Sequence, residues 1–123
     1  LQCLKKMWGG ELFVPKIPSY RITDVAKAIN QGCRLDIVGI RPGEKLHEEM
    51  ITTTDALNTV EFEKYYVILP AAAPSWNIEN FIQESNGIAG KMVSEGFCYN
   101  SGTNKIFLTI KELQELINSD LHE

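Results

Sequence analysis

An arginine and a glutamate three residues apart, Arg41 and Glu44, are the residues of this sequence best suited to hold a charged ligand. They flank Pro42-Gly43, a pair typical of a tight turn. A guanidinium offers paired donors that match phosphate oxygens, whereas a carboxylate accepts hydrogen bonds from hydroxyls. A turn that carries both groups suits a ligand whose phosphates lie next to a sugar diol, such as a nucleoside diphosphate. By itself the turn performs no bond-making step.

Two predicted elements position this turn. The apolar pattern of residues 34–40 predicts a strand that is buried in part on both faces and ends at the turn, and a helix from about residue 44 to residue 50 follows. The alternative for Arg41 is therefore an ion pair with a nearby acid at the strand end. The alternative for Glu44 is a carboxylate in the first turn of a helix, where the helix dipole favours it. His47 would share the helix face of Glu44, and packing or orienting a neighbour is favoured over proton transfer.

A second candidate segment is Pro15-Lys16-Ile17-Pro18-Ser19. Each residue before a proline is driven into an extended conformation, so this segment is stiff. A stiff segment loses less entropy when it lines a ligand. Pro15, Lys16 and Ser19 are candidate substrate-binding residues through the family resemblance given below, with a surface lysine as the alternative for Lys16. The neighbouring Tyr20 and Arg21 are weaker candidates.

The remaining elements are short. Thr23 is predicted as the N-cap of a two-turn helix. Residues 59–62 and 65–69 are predicted to form a hairpin, and residues 100–104 a polar loop. A loose helix is expected to cover the core with Trp76, Ile78, Phe81 and Ile82. Thr109 with Glu112 is predicted to form a capping box that opens a final helix, whose packing face carries Leu113, Leu116 and Ile117. The predicted fold class is α/β, an α+β arrangement of short strands and a few helices. Residues 1–70 and 71–123 are expected to be two regions of the same compact unit.

The composition narrows the partners and the compartment. The chain has 123 residues and a net charge of −4, and an acidic whole argues against nucleic acid. We expect no membrane span, because no run of 18 apolar residues occurs, and no signal peptide at the start. Three cysteines without metal-ligand spacing argue against a disulfide framework or a zinc site and favour the reduced cytoplasm. Because the chain opens on Leu inside a helical pattern, we expect it to be cut from something longer.

Three stretches carry a resemblance to a known family. Residues 9–19, 23–29 and 39–48 resemble the C-terminal third of the UDP-N-acetylglucosamine 4,6-dehydratases, which are extended short-chain dehydrogenases/reductases of bacterial surface-glycan biosynthesis. Residues 65–70 and 99–109 resemble the tail of that family. The resemblance implies a UDP-sugar as ligand, with Arg41 on the diphosphate and Glu44 on the ribose. It also implies that the segment of Pro15 to Ser19 lies beside the uracil and sugar.

The sequence departs from this family in its catalytic motifs. It contains no Gly-x-Gly-x-x-Gly or Gly-x-x-Gly-x-x-Gly motif, and none of its four tyrosines has Lys four residues later. The first motif cradles the pyrophosphate of a dinucleotide. The resemblance therefore implies that NADP binds in an N-terminal Rossmann domain absent here, that this chain binds no cofactor, and that it is inactive alone.

Three functional hypotheses stay open at this point. The first is the substrate-binding part of a UDP-N-acetylglucosamine 4,6-dehydratase. The second is a non-enzymatic module for binding or oligomerisation, and the third is part of a UDP-sugar epimerase or reductase. A homo-oligomer is expected to form through apolar surface that the absent domain would otherwise cover.

Overall fold

A computed structural model describes residues 7–71, 77–84 and 90–120. Most of the predicted helix before Gly9 lies outside these residues. Trp76, which was predicted to cover the core, lies outside them as well. The described elements are mixed α/β, as predicted from the sequence. In chain order they are β1 (Leu12–Pro15), α1 (Ile22–Ile29), β2 (Glu49–Ile51), α2 (Thr53–Ala56), β3 (Thr59–Glu61), β4 (Tyr65–Ile68), α3 (Ile78–Glu84), β5 (Lys91–Met92), β6 (Tyr99–Asn100) and α4 (Ile110–Asp120).

The chain forms two compact units, each built from segments that are distant in sequence. The sheet unit comprises Leu1–Lys16 and Glu49–Tyr99, and the helical unit comprises Ile17–Glu48 and Asn100–Glu123. The predicted boundary at residue 70 therefore falls inside the sheet unit. None of the helices among the described residues is long and apolar enough to cross a membrane.

The sheet unit contains a four-stranded sheet in the order β1-β4-β3-β5, and the described pairings in it are antiparallel. β3 and β4 form the predicted hairpin, with Val60 opposite Val67. The N–H of Phe62 donates to the carbonyl of Tyr65 at 2.9 Å and closes the connection through Glu63-Lys64. The polar pair at the turn and the apolar residues in the strands thus act as the sequence predicts.

The main core of the sheet unit lies against one face of this hairpin. It is formed by Val60, Phe62, Val67, Leu69 and Phe81. The predicted helix is confirmed for Ile78, Phe81 and Ile82, which lie in α3, and the Phe81 side chain is fully buried. A Cβ at Gly90 would lie 2.6 Å from Cγ1 of Val60, so a residue without a side chain is needed at this point.

The helical unit contains α1 packed against α4. The capping box of α4 is confirmed, because the Glu112 N–H donates to Thr109 Oγ1 at 3.3 Å while Glu112 Oε2 accepts from the Thr109 N–H at 2.8 Å. Leu113 is buried, but Leu116, which was predicted to share its packing face, is about half exposed. The prediction of Thr23 as an N-cap is wrong. Arg21 is the N-cap, without a side-chain bond, because its carbonyl already accepts the first backbone bond of the helix.

Two predicted elements beside the Arg41 turn are also wrong. Residues 34–40 form no strand, and Ile37 and Val38 are 92% and 82% exposed. A strand needs a neighbouring strand to satisfy its backbone N–H and C=O groups. Among the described residues, no strand pairs with this segment. Residues 44–48 form no helix, because the Glu48 N–H and carbonyl bond to Ser101, and Glu49 begins β2 instead.

Candidate functional site

The Arg41 turn is closed by its backbone. The Glu44 N–H donates to the Arg41 carbonyl at 3.0 Å, and Gly43 has a φ of +88°. A left-handed third residue after proline is the signature of a type II turn, in which glycine avoids the strain of a Cβ. Pro42 fixes φ at the second position and so sets the direction in which the chain enters the turn.

The Glu44 carboxylate contacts Arg41 twice. Its Oε2 accepts a hydrogen bond from the Arg41 backbone N–H at 2.9 Å, and its Oε1 lies 3.9 Å from Arg41 Nε. The acid predicted as an alternative partner of Arg41 is therefore Glu44 itself. With the side chains 78% and 52% exposed, this ion pair is long and solvated, and such pairs contribute roughly 0–1 kcal/mol. Glu44 thus helps to close the turn. It does not lie in the first turn of a helix, which was the predicted alternative for this residue.

The outer face of the guanidinium is open. The hydrogen bonds and ion pairs that Arg41 makes with described residues involve its backbone and Nε, and leave Nη1 and Nη2 without such a partner. These two nitrogens are the pair that can grip one anion from the side away from Glu44. The turn therefore fixes the Arg41 backbone and leaves the two terminal nitrogens of its guanidinium available to a ligand.

Lys16, by contrast, already has partners in the sheet unit. Its Nζ lies 2.6 Å from Glu61 Oε1 and 4.8 Å from the centre of the Tyr66 ring. Burial raises the pKa of Tyr66, and the charges of Glu61 and Tyr99 add to this rise. Pro15, at the end of β1, pairs with Tyr65. This arrangement favours a structural role for Lys16 over the predicted contact with a ligand.

Ser19 is held in the helical unit by a loop at residues 100–108. Its N–H donates to the Ile106 carbonyl and its carbonyl accepts from the Leu108 N–H, both at 2.8 Å. Asn104 Nδ2 donates to Ser19 Oγ and to the Ile17 carbonyl, both at 2.9 Å. Sequence analysis missed Asn104, which stands in a segment predicted only as a polar loop. The second half of the proline segment is therefore positioned by side-chain bonds as well as by its prolines.

His47 also contacts this loop. Its Nδ1 lies 3.4 Å from Ser101 Oγ. A Cβ built on Gly102 would lie 2.9 Å from the imidazole, so the ring rests directly on the backbone at this glycine. The prediction that His47 shares a helix face with Glu44 is wrong, and the contacts of His47 with Ser101 and Gly102 were not foreseen. The Ser-Gly pair gave no signal by itself, because such pairs are common in turns.

The sequence-predicted residues thus divide between the two units. Ser19, Arg41 and Glu44 belong to the helical unit, together with His47, whereas Pro15 and Lys16 belong to the sheet unit. The described residues contain no group of three or more His, Cys, Asp or Glu side chains that could hold a metal ion. The arrangement can bind an anion at Arg41, and it places the hydroxyl of Ser101 beside the imidazole of His47 at 3.4 Å.

One further carboxylate escaped the sequence analysis. Glu11 is only 6% exposed, and its two oxygens accept hydrogen bonds from the N–H groups of Trp8 and Gly9 at 2.6 and 2.7 Å. Both Gly9 and Gly10 have positive φ, so the carboxylate fastens a left-handed turn at the start of β1. The Gly-Gly-Glu sequence was a signal for this arrangement, because a carboxylate just after such a turn can accept several exposed N–H groups.

A solved structure shares this fold. The protein Pen from Bacillus thuringiensis superposes with a TM-score of 0.69 and 22% identity, over 98% of this chain and 34% of its own. Two curated relatives are similar in sequence. They are the inverting UDP-N-acetylglucosamine 4,6-dehydratases of Campylobacter jejuni serotypes O:2 and O:23/36, which are 44% and 42% identical over 96% of this chain.

The family follows from the sequence match. A model of the polysaccharide biosynthesis protein family matches residues 1–70, a stretch that includes the complete Arg41 turn. The chain belongs to this family. It spans about 35% of the length of the two Campylobacter relatives that it matches.

Proposed function

We propose that this chain is the UDP-sugar-binding part of a UDP-N-acetylglucosamine 4,6-dehydratase of bacterial surface-glycan biosynthesis. The observation that carries the proposal is the Arg41 turn, where the Arg41 backbone N–H is bonded to Glu44 and Nη1 and Nη2 have no hydrogen-bond or ion-pair partner among the described residues. The names of the Campylobacter relatives supply the nucleotide sugar. Polysaccharide biosynthesis, the process after which the family is named, consumes such activated sugars.

The mechanism assigned to these residues is positioning. Arg41 binds the diphosphate with its two terminal nitrogens, and Glu44 holds the turn while its remaining lone pairs accept from the ribose hydroxyls. A substrate fixed at its nucleotide end presents its sugar in a restricted orientation, which lowers the entropic part of a reaction barrier. None of these steps moves a proton or a hydride.

NADP chemistry is assigned to residues outside this chain. The sequence has no glycine-rich dinucleotide motif and no Tyr-x-x-x-Lys pair, so its residues do not fit this cofactor. We therefore propose that the chain alone neither binds NADP nor dehydrates a sugar. The cytoplasmic location expected from the sequence stays a prediction.

Calorimetry with UDP tests the proposal. We expect weak binding by the chain and loss of most of it in Arg41→Ala, because the diphosphate loses its paired donors. Arg34→Ala is the matched control, since Arg34 is also an exposed arginine of the helical unit that is paired with an acid, Asp36, at 3.3 Å. Undiminished binding in Arg41→Ala, or an equal loss in Arg34→Ala, would refute the assignment.

A second candidate function is self-association, and the exposed apolar segment before the turn favours it. Ile37, Val38 and Ile40 are 92%, 82% and 59% exposed. Surface of this kind in a row is a common feature of interaction sites. We expect light scattering to show a dimer or larger species that Val38→Lys disperses; a monomer at all concentrations would exclude this function.

A further inference from the structure

We propose that His47 is a further binding residue for the diphosphate, and that Ser101 is the residue that positions it. This inference rests on the proposed function, because it takes UDP as the ligand of the Arg41 turn. His47 carries an exposed side chain held on two sides by residues distant in sequence. Its Nε2 makes no hydrogen bond to another described residue.

As a positioning residue, Ser101 selects which nitrogen of the His47 ring carries the hydrogen. Ser101 Oγ accepts a hydrogen bond from the Glu48 N–H at 3.1 Å, and the Ser101 N–H donates to the Glu48 carbonyl at 2.9 Å. The Ser101 hydroxyl keeps one hydrogen and a second lone pair, and we assign the hydrogen to His47 Nδ1, 3.4 Å away. In a neutral imidazole one nitrogen accepts and the other donates. Nδ1 is then the acceptor, and Nε2 carries the hydrogen.

Gly102 limits the movement of the ring. A side chain at this position would come within 2.9 Å of imidazole carbons and 3.1 Å of Nδ1. The loop that supplies Ser101 and Gly102 is itself folded on Asn100, whose Oδ1 accepts from the N–H groups of Gly102 and Thr103, both at 2.9 Å. The imidazole is thus held by a loop with its own internal hydrogen bonds, and the Nε2–H donor has a defined direction.

The position of His47 in the chain keeps this donor close to the Arg41 turn. Three peptide units separate the Cα atoms of Glu44 and His47, so these atoms are at most about 11 Å apart. A nucleoside diphosphate that contacts Arg41 and Glu44 extends over a comparable length. Arg41, Lys45 and His47 are exposed donors on one short segment, and such a composition favours an anionic ligand.

Nitrogen NMR of the full chain tests both parts of the inference without a mutation. We expect the free protein to show His47 with hydrogen on Nε2. Addition of UDP should shift the Nε2 resonance and leave Nδ1 nearly unchanged. An Nδ1–H tautomer in the free protein would overturn the role of Ser101, and an unchanged Nε2 at saturation would overturn the role of His47.

Calorimetry with variants gives an independent measure. We expect His47→Ala to weaken UDP binding by about tenfold, as for the loss of one hydrogen bond to a charged group. Ser101→Ala should weaken it by about threefold, because the donor remains but loses its orientation, and Ser101→Thr should restore both the tautomer and the affinity. The exposed Lys105→Ala in the same unit serves as control.

The outcomes separate this inference from the proposed function. If Arg41→Ala removes binding while His47→Ala stays within about twofold of the wild type, below the contribution of one hydrogen bond, the inference fails and the proposed function stands. If the unaltered chain does not bind UDP at all, both fail. A loss in His47→Ala together with a shift of Nε2 supports both.

Discussion

Removal of the Glu11 carboxylate tests how the sheet unit is fastened at the start of β1. In Glu11→Ala the N–H groups of Trp8 and Gly9 lose an acceptor that lies at 2.6 and 2.7 Å in the folded chain. A hydrogen bond to a charged group contributes about 1.5–3 kcal/mol. Because Trp8 and Gly9 are exposed and water can replace the carboxylate in part, we place the total near the lower limit, at about 2 kcal/mol.

Urea denaturation followed by tryptophan fluorescence measures this loss. With a denaturant slope of about 1–3 kcal/mol per molar urea, a loss of 2 kcal/mol lowers the midpoint by about 1 M. Glu63→Ala is the matched control, since Glu63 is an exposed glutamate of the same unit in the hairpin turn. If both variants unfold at the same urea concentration, the buried carboxylate does not fasten the turn and the reasoning fails.

Three other predictions follow from the contacts of single residues. Lys16→Met should leave UDP affinity unchanged in calorimetry and reduce stability, because Lys16 is bound to Glu61 and Tyr66; a large loss of affinity would restore Lys16 as a ligand contact. Nicotinamide fluorescence of NADPH should stay constant when the chain is added, and quenching would contradict the assignment of the cofactor to other residues. Bonds from Thr109 lower the pKa of Glu112. A carboxylate whose pKa is lowered in the folded state stabilises it above the unfolded pKa, and this contribution disappears as the pH falls through the folded value. The difference in helix content or unfolding midpoint between the wild type and Glu112→Gln should therefore be present at neutral pH and vanish in acid, whereas a difference independent of pH would exclude this cause.

The fold was predictable from the sequence where local signals decide it. The β3–β4 hairpin has apolar strands on both sides of a polar pair, and α4 starts at a capping box, so neither depends on distant residues. Prediction fails where hydrogen bonds between distant residues compete with the local structure that the apolar periodicity indicates. The apolar pattern of residues 34–40 indicates a strand but does not supply a partner, and Ser101 binds the Glu48 backbone groups that a helix would use.

The candidate site was predictable to the same degree. Arg41 and Glu44 form the expected Pro-Gly turn, because proline and glycine fix its backbone through their own conformational limits. The partners of Lys16, Ser19 and His47 could not be predicted, because each partner lies more than 40 residues away in the sequence. Pairings over such distances depend on the tertiary fold, which short-range spacing does not encode.

A crystal structure of the chain with UDP tests the central claim most directly. The account predicts Nη1 or Nη2 of Arg41 at about 2.7–2.9 Å from diphosphate oxygens, with Glu44 still bonded to the Arg41 backbone. A complex in which both terminal nitrogens fold onto Glu44 while the nucleotide binds elsewhere would contradict it.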